Sequence, residues 1–98
     1  MHKRWGWMLT LLRGKRFKVK ILYFKPGGAI SEQKHKHRSE LWLFIFGNNK
    51  GNFWHIKQNE WHVFGATKPT LVLEIQYGNK CSERDIERKK CLKIYGVK

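Results

Sequence analysis

Alternation of apolar and polar side chains with a period of two constrains this chain more than any other feature. Phe17, Val19, Ile21 and Tyr23 fall on one side of a segment that carries Lys18 and Lys20 between them. Successive side chains of an extended strand point to opposite faces, so this segment reads as a half-buried strand with its lysines outward. Thr70 to Tyr77 repeats the pattern, with Leu71, Leu73, Ile75 and Tyr77 facing one way. Leu41 to Phe46 is apolar on both faces and reads as a central strand, and Phe53–Ile56 and Trp61–Phe64 read as two short ones. The breaks between them, Lys25-Pro26-Gly27-Gly28, Gly47–Asn52 and Gly65–Pro69, are rich in the residues that tight turns need. Only after Ser82 does the pattern become helical, with Ser82 and Asp85 as an N-cap pair. Many short strands with Gly/Asn turns predict an all-β antiparallel sandwich or barrel, closed by a short C-terminal helix.

Ninety-eight residues leave room for one domain, residues 1–98, with its core over about 15–78 and a helical tail over about 82–96. A hydrophobic share of 41% with five tryptophans predicts a packed core. The balance of 21 Lys+Arg against 7 Asp+Glu gives a net charge of +14, which admits a nucleic acid, an acidic membrane surface or a phosphorylated small molecule as partner. The charge is spread along the chain, and the longest block, Glu87-Arg88-Lys89-Lys90, is too short for a basic tail. The apolar stretch after Met1-His2-Lys3-Arg4 is followed by Arg13-Gly14-Lys15-Arg16 instead of a small-residue cleavage site, so it reads as mature sequence. No apolar run approaches the roughly 18 residues of a membrane span. Cys81 and Cys91 form no disulfide framework and have no zinc-finger spacing, which fits free thiols in a reducing, cytoplasmic compartment.

The chemistry-bearing stretch is His35-Lys36-His37-Arg38-Ser39-Glu40. In an extended segment residues i and i+2 project together, so His35 and His37 are expected on one side, with Glu40 just beyond and His62 arriving from a later strand. Imidazoles and a carboxylate converging from a sheet are suitable ligands for a divalent transition metal, with Zn, Mn, Fe, Co and Ni all compatible.

These residues resemble the cupin motifs. The first cupin motif runs glycine, His-x-His, three or four residues, glutamate, six residues, glycine; here stand Gly28, His35-Lys36-His37, Glu40 and Gly47. Counting the second motif from Gly51 puts Lys57 at its proline, Asn59 at its second glycine, His62 at its histidine and Ala66 at its asparagine. The resemblance implies a small, jelly-roll-like cupin β-barrel with His35, His37, Glu40 and His62 as metal ligands. Cupins usually place a β-hairpin between the two motifs, whereas Gly47 and Gly51 are nearly adjacent. The barrel is therefore expected to be shortened there, with an open edge that invites a homodimer.

A narrower resemblance runs along most of the chain: Trp5-Gly6, Lys25-Pro26-Gly27, Gln33, His37-Arg38 with Glu40 and Trp42, Glu74-Ile75-Gln76-Tyr77-Gly78, Asp85-Ile86 and Ile94-Tyr95-Gly96. This order is similar to the mannose-6-phosphate isomerase type II domain, the C-terminal cupin of bifunctional mannose-1-phosphate guanylyltransferases. It implies aldose–ketose isomerisation of a phosphorylated hexose at a metal, with Glu74 a candidate base and Gln33 a candidate hydrogen-bonding partner of substrate. Arg88, Lys18 and Lys20 are candidates for the phosphate. The alternatives are a non-catalytic metal- or sugar-binding cupin and, on charge and aromatics alone, a basic nucleic-acid binder.

Overall fold

The computed structural model describes residues 1–78, 81 and 86–88, the last two by backbone alone. Among these residues nine strands follow in order: β1 (His2–Lys3), β2 (Gly6–Arg13), β3 (Phe17–Phe24), β4 (Ala29–Lys34), β5 (Arg38–Phe46), β6 (Phe53–Ile56), β7 (His62–Gly65), β8 (Thr70–Gly78) and β9 (Glu87–Arg88). They form a six-stranded sheet of order β1-β2-β3-β8-β5-β6 and a three-stranded sheet of order β7-β4-β9. Every pairing is antiparallel.

Three expectations are corrected. The sheets do not close into a barrel: the small layer has only three short strands, which pair with one another and leave β1 and β6 as edges of the large layer. The architecture is an open, two-sheet, cupin-like sandwich. There is no helix among the described residues, and Glu87–Arg88, inside the segment expected to be helical, is extended and pairs with Gln33 and Lys34. One edge of β4 is taken by β7, and its other edge offers unpaired backbone groups that β9 satisfies. Ile86 is not helical either, and the rest of the expected helix lies outside the described residues, as does Cys91.

The third correction concerns which face is inside. In β3 the buried residues are Lys18, Lys20, Leu22 and Phe24, while Phe17, Val19, Ile21 and Tyr23 face outward. β8 is reversed in the same sense, burying Thr70, Val72, Glu74 and Gln76. Alternation defines two faces but not which one meets the other layer. Register decides it here: Lys20 pairs with Glu74, and Glu74 with Trp42; Lys18 pairs with Gln76, and Gln76 with Glu40. Polar groups on three adjacent strands thus share the inner face and supply one another's partners.

The remainder of that face is the core. Phe24, Phe44, Phe64 and Trp42 meet there with Leu22, Ile30, Ile56, Ala66 and Val72. The Phe24 and Phe64 rings lie edge to face at 4.9 Å, and Trp5 stacks on Phe24 at 4.5 Å. Burial of rings in such pairs adds roughly 0.5–1.5 kcal/mol each beyond their area. β5 returns as β6 through the Gly47–Asn52 turn, closed by hydrogen bonds from Phe44 N to Asn52 O (3.0 Å) and from Gly51 N to Phe44 O (2.9 Å). Gly47 has φ +89° and a Cβ there would collide with Pro69 and Thr70, so both conformation and space require glycine there.

Candidate metal centre

His35 follows the end of β4, and Glu40 lies in β5; the chain bends at Lys36 and His37 between them. The bend shifts the parity of the strand. Before it the odd-numbered Gln33 and His35 are buried; after it the even-numbered Arg38, Glu40, Trp42 and Phe44 are. His37 therefore does not follow His35 inward but stays half-buried, outside the group of ligand atoms that converge. Spacing accounts for this. Two residues separate His37 from Glu40, whereas the interval of four runs from His35, so Gln33-x-His35 stands where the motif has His-x-His.

His62, at the start of β7, is brought opposite by register, since β7 and β4 pair Gln33 with His62. His35, Glu40 and His62 each offer a ligand atom within 4.8 Å of the others, and all three are buried. His35 Nε2 lies 3.1 Å from Glu40 Oε2, and His62 Nε2 lies 4.0 Å from Glu40 Oε1. The loop before β7 clasps the bend: Asn59 N donates to His35 O (2.7 Å), Gln58 N to Ser39 Oγ (3.1 Å) and Gln58 Nε2 to Lys36 O. Asn59 takes the left-handed φ of +64° that its place at a motif glycine demands.

A network surrounds the carboxylate. Arg38 donates from Nε to Glu40 Oε2 (3.1 Å) and sets Nη2 3.0 Å from the same oxygen and 3.3 Å from His35 Nε2. Trp42 Nε1 donates to both Glu40 Oε1 (3.0 Å) and Glu74 Oε2 (3.1 Å), and Gln76 Nε2 donates to Glu74 Oε1 (3.0 Å). Burial alone raises a carboxyl pKa, but in Glu40 the hydrogen bonds of His35 and Glu74 and the Arg38 charge overcome it and hold the group well below the usual carboxylate range. Glu74 goes the other way: burial, then the Glu40 charge and their hydrogen bond, push it well above. The pair thus keeps one proton, on Glu74. Burial also lowers His62 below the ordinary imidazole range, leaving its ring neutral and able to ligate.

Two imidazoles and an ionised carboxylate, all buried, form a donor set positioned to coordinate a divalent transition metal. The centre opens into a cavity of about 490 Å³, lined also by Lys20, Gln33, Glu74 and Gln76 and, at the exposed mouth, by Lys3 and Arg4. Glu74 and Gln33, singled out in the sequence, both reach this cavity, and so does Lys20. Lys18 is buried on the same face but does not line it; the Arg88 side chain lies outside the described structure. Sequence reasoning missed Arg38 and Gln76 as parts of the site. Their signal was parity: each shares the inward phase of a residue already chosen, Glu40 or Glu74.

Comparisons with known proteins agree with the geometry. The family described as Mannose-6-phosphate isomerase C-terminal matches residues 1–90. The chain is 34% identical over 102 residues to mannose-1-phosphate guanylyltransferase of Escherichia coli, covering 90% of this chain and 22% of that protein. It is 46% identical over 98 residues to the enzyme of the same name from Sinorhizobium fredii, covering 86% of this chain and 19% of the relative. The chain thus spans about a fifth of the length of these relatives. In fold it is similar to a cupin superfamily protein from Desulfitobacterium hafniense, with a TM-score of 0.64 at 13% identity, over 79% of this chain and 83% of that one. No helix among the described residues is long and apolar enough to cross a membrane.

Proposed function

Because this cupin chain belongs to the Mannose-6-phosphate isomerase C-terminal family, we propose that it is a metal-dependent isomerase interconverting mannose 6-phosphate and fructose 6-phosphate, serving nucleotide-sugar and polysaccharide metabolism. One observation carries the reading: His35, Glu40 and His62 share with Glu74 a cavity of about 490 Å³, within the range that holds a small ligand. Held by those three residues, a divalent metal supplies Lewis-acid polarisation of the sugar carbonyl.

The rest of the chemistry falls to side chains. Glu74 holds the proton of the carboxyl pair. It gives that proton to the aldose oxygen at C1, and the carboxylate so formed takes the proton from C2, leaving an enediol and a re-protonated Glu74. Glu74 then protonates C1 and accepts the proton of the C2 hydroxyl, which completes the ketose with atoms and charge balanced. Gln76 Oε1 is buried without a hydrogen-bond partner among the described residues and lies on the cavity, where it accepts from a sugar hydroxyl. Gln33 Nε2, already bonded to Ser31 O at 3.3 Å, orients a second. Lys20, on the cavity wall beside Glu74, is the phosphate partner best supported by position, with Lys3 and Arg4 at the mouth.

The test is elemental analysis of the purified protein followed by a coupled mannose 6-phosphate isomerase assay with each metal restored. Turnover that Glu74→Gln abolishes while metal content persists supports the reading; no metal uptake overturns it. Stoichiometric metal without turnover supports a non-catalytic metal- or sugar-binding cupin instead. One observation favours that second reading: the Arg38 guanidinium already lies against both Glu40 and His35.

A further inference from the structure

The outer face of the six-stranded sheet has no place in the chemistry above, and its composition is unlike that of the rest of the molecule. Register aligns its side chains in rows. One runs Leu9–Ile21–Leu73–Leu43–Phe53 across five strands. The neighbouring row runs from Leu12 through Val19, Ile75 and Leu41 to His55. The rows on either side add aromatic residues, a Trp7–Tyr23 stack at one end and Phe17 with Tyr77 at the other. No Lys, Arg, Asp or Glu occupies an outward position of these rows, in a chain of which 29% of residues are charged. Leu9, Leu12 and Phe53 are 54%, 57% and 69% exposed. Among the described residues the small sheet covers the opposite face.

A solvated sheet face of this basic chain would carry the lysines that β3 instead turns inward. From the topology and register, we propose that the outer face is the contact surface of a homodimer, two copies packed sheet to sheet about a two-fold axis. Five strands at about 4.8 Å spacing and about seven residues of length give a footprint of roughly 24 by 24 Å, about 600 Å² per copy. Two copies then bury about 1,200 Å² or more, the area at which specific interfaces become stable. A flat apolar sheet is self-complementary, because two such faces interdigitate at about 10 Å separation whichever copy is called first. A charge-free face gives an acidic partner nothing to pair with, whereas a second copy needs only apolar surface. The metal centre opens on the other side of the sheet, so both cavities of the dimer stay accessible. The contact is the sheet face, distinct from the open β6 edge left by the short connection between the motifs.

Charge gives the dimer a signature. Each copy carries +14, so the apolar contact forms against like-charge repulsion and tightens as salt screens it; nucleic-acid binding weakens with salt. Sedimentation velocity of the full chain from about 1 to 100 µM, at low and high salt, reads the association directly. The expected result is a dimer whose dissociation constant falls with added salt. Leu73→Lys, at the centre of the longest row, is expected to weaken it about 100-fold, as loss of a central interface anchor does. Leu73 faces outward, so the variant keeps its fold and its metal uptake, which circular dichroism and elemental analysis verify. Should that substitution perturb the fold, Leu9→Lys at the margin of the same row serves with a smaller expected loss. A chain that remains monomeric at 100 µM in high salt overturns the proposal, as does a Leu73→Lys protein that is folded and still dimeric. Monomeric protein that instead binds anionic phospholipid vesicles through Leu73 assigns the face to a membrane surface and overturns it too.

Discussion

Along β3, β8 and β5 the inward side chains change character at the same level of the sandwich. One end holds Phe24 and Leu22, Val72 and Phe44; one row further stand Lys20 and Glu74 beside Trp42, then Lys18, Gln76 and Glu40. The apolar end is stabilised by area removed from water, which is additive and undirected. The polar end is stabilised only while each group keeps its partner, because a buried charge that loses its counterpart bears its full desolvation cost. One stretch of backbone thus supports a part that resists deformation and a part that is poised to react.

Substitutions at the two ends separate these contributions. The largest effect is expected from Phe24→Ala, which empties a site in contact with Trp5, Trp42 and Phe64 and costs roughly 3–5 kcal/mol of unfolding free energy in urea titrations. A loss below about 1 kcal/mol would deny the apolar end its role. Glu40→Gln is expected to cost about 3 kcal/mol in metal-free protein, since it leaves the Arg38 guanidinium buried without its counter-charge, and to abolish metal uptake measured by calorimetry.

The pH response is smaller and belongs to the polar end. His62 is held below its ordinary pKa of about 6.5, so between that value and the lower folded one the unfolded chain binds the extra proton. The contribution of His62 to the stability of the metal-free protein is therefore expected to be complete above about pH 6.5 and to be lost as pH drops through that window, while Glu74, which holds an extra proton in the folded chain, contributes the opposite slope. His62→Gln should lower the slope of stability against pH in that window in a series of melts; an unchanged slope would place the titration elsewhere. The smallest effect is expected at His37, where replacement by alanine leaves metal stoichiometry intact, while His35→Ala removes it. Equal losses at the two positions would contradict the parity shift at the bend.

Strand positions were legible because period-two alternation and Gly/Asn turns are local signals; the segments read at residues 17–23, 41–46, 53–56 and 70–77 are all strands. The inward face was not legible, because Lys18 and Lys20 are buried by what stands beside them in register, and register is a property of pairs of strands. Barrel closure depended on how many strands the second layer holds, and the extended Glu87–Arg88 on a vacant edge of β4. In the site, His35, Glu40 and His62 were readable from spacing. The placing of His37 was not, because a bend between two strands leaves no periodic trace.

The bend at Lys36–His37 also makes the interval from His35 to Glu40 a length gauge. Deleting one residue there would return every downstream position of β5 to the opposite parity, aiming Leu41 and Leu43 at the metal ligands and Glu40 and Arg38 out among the leucines of the sheet. Gly78 reinforces the gauge: it pairs with Arg38 at φ +146°, where any Cβ would collide with the His37 carbonyl, and leaves no slack for a compensating slip. Among homologous chains, substitutions in this stretch are therefore tolerable where insertions and deletions are not.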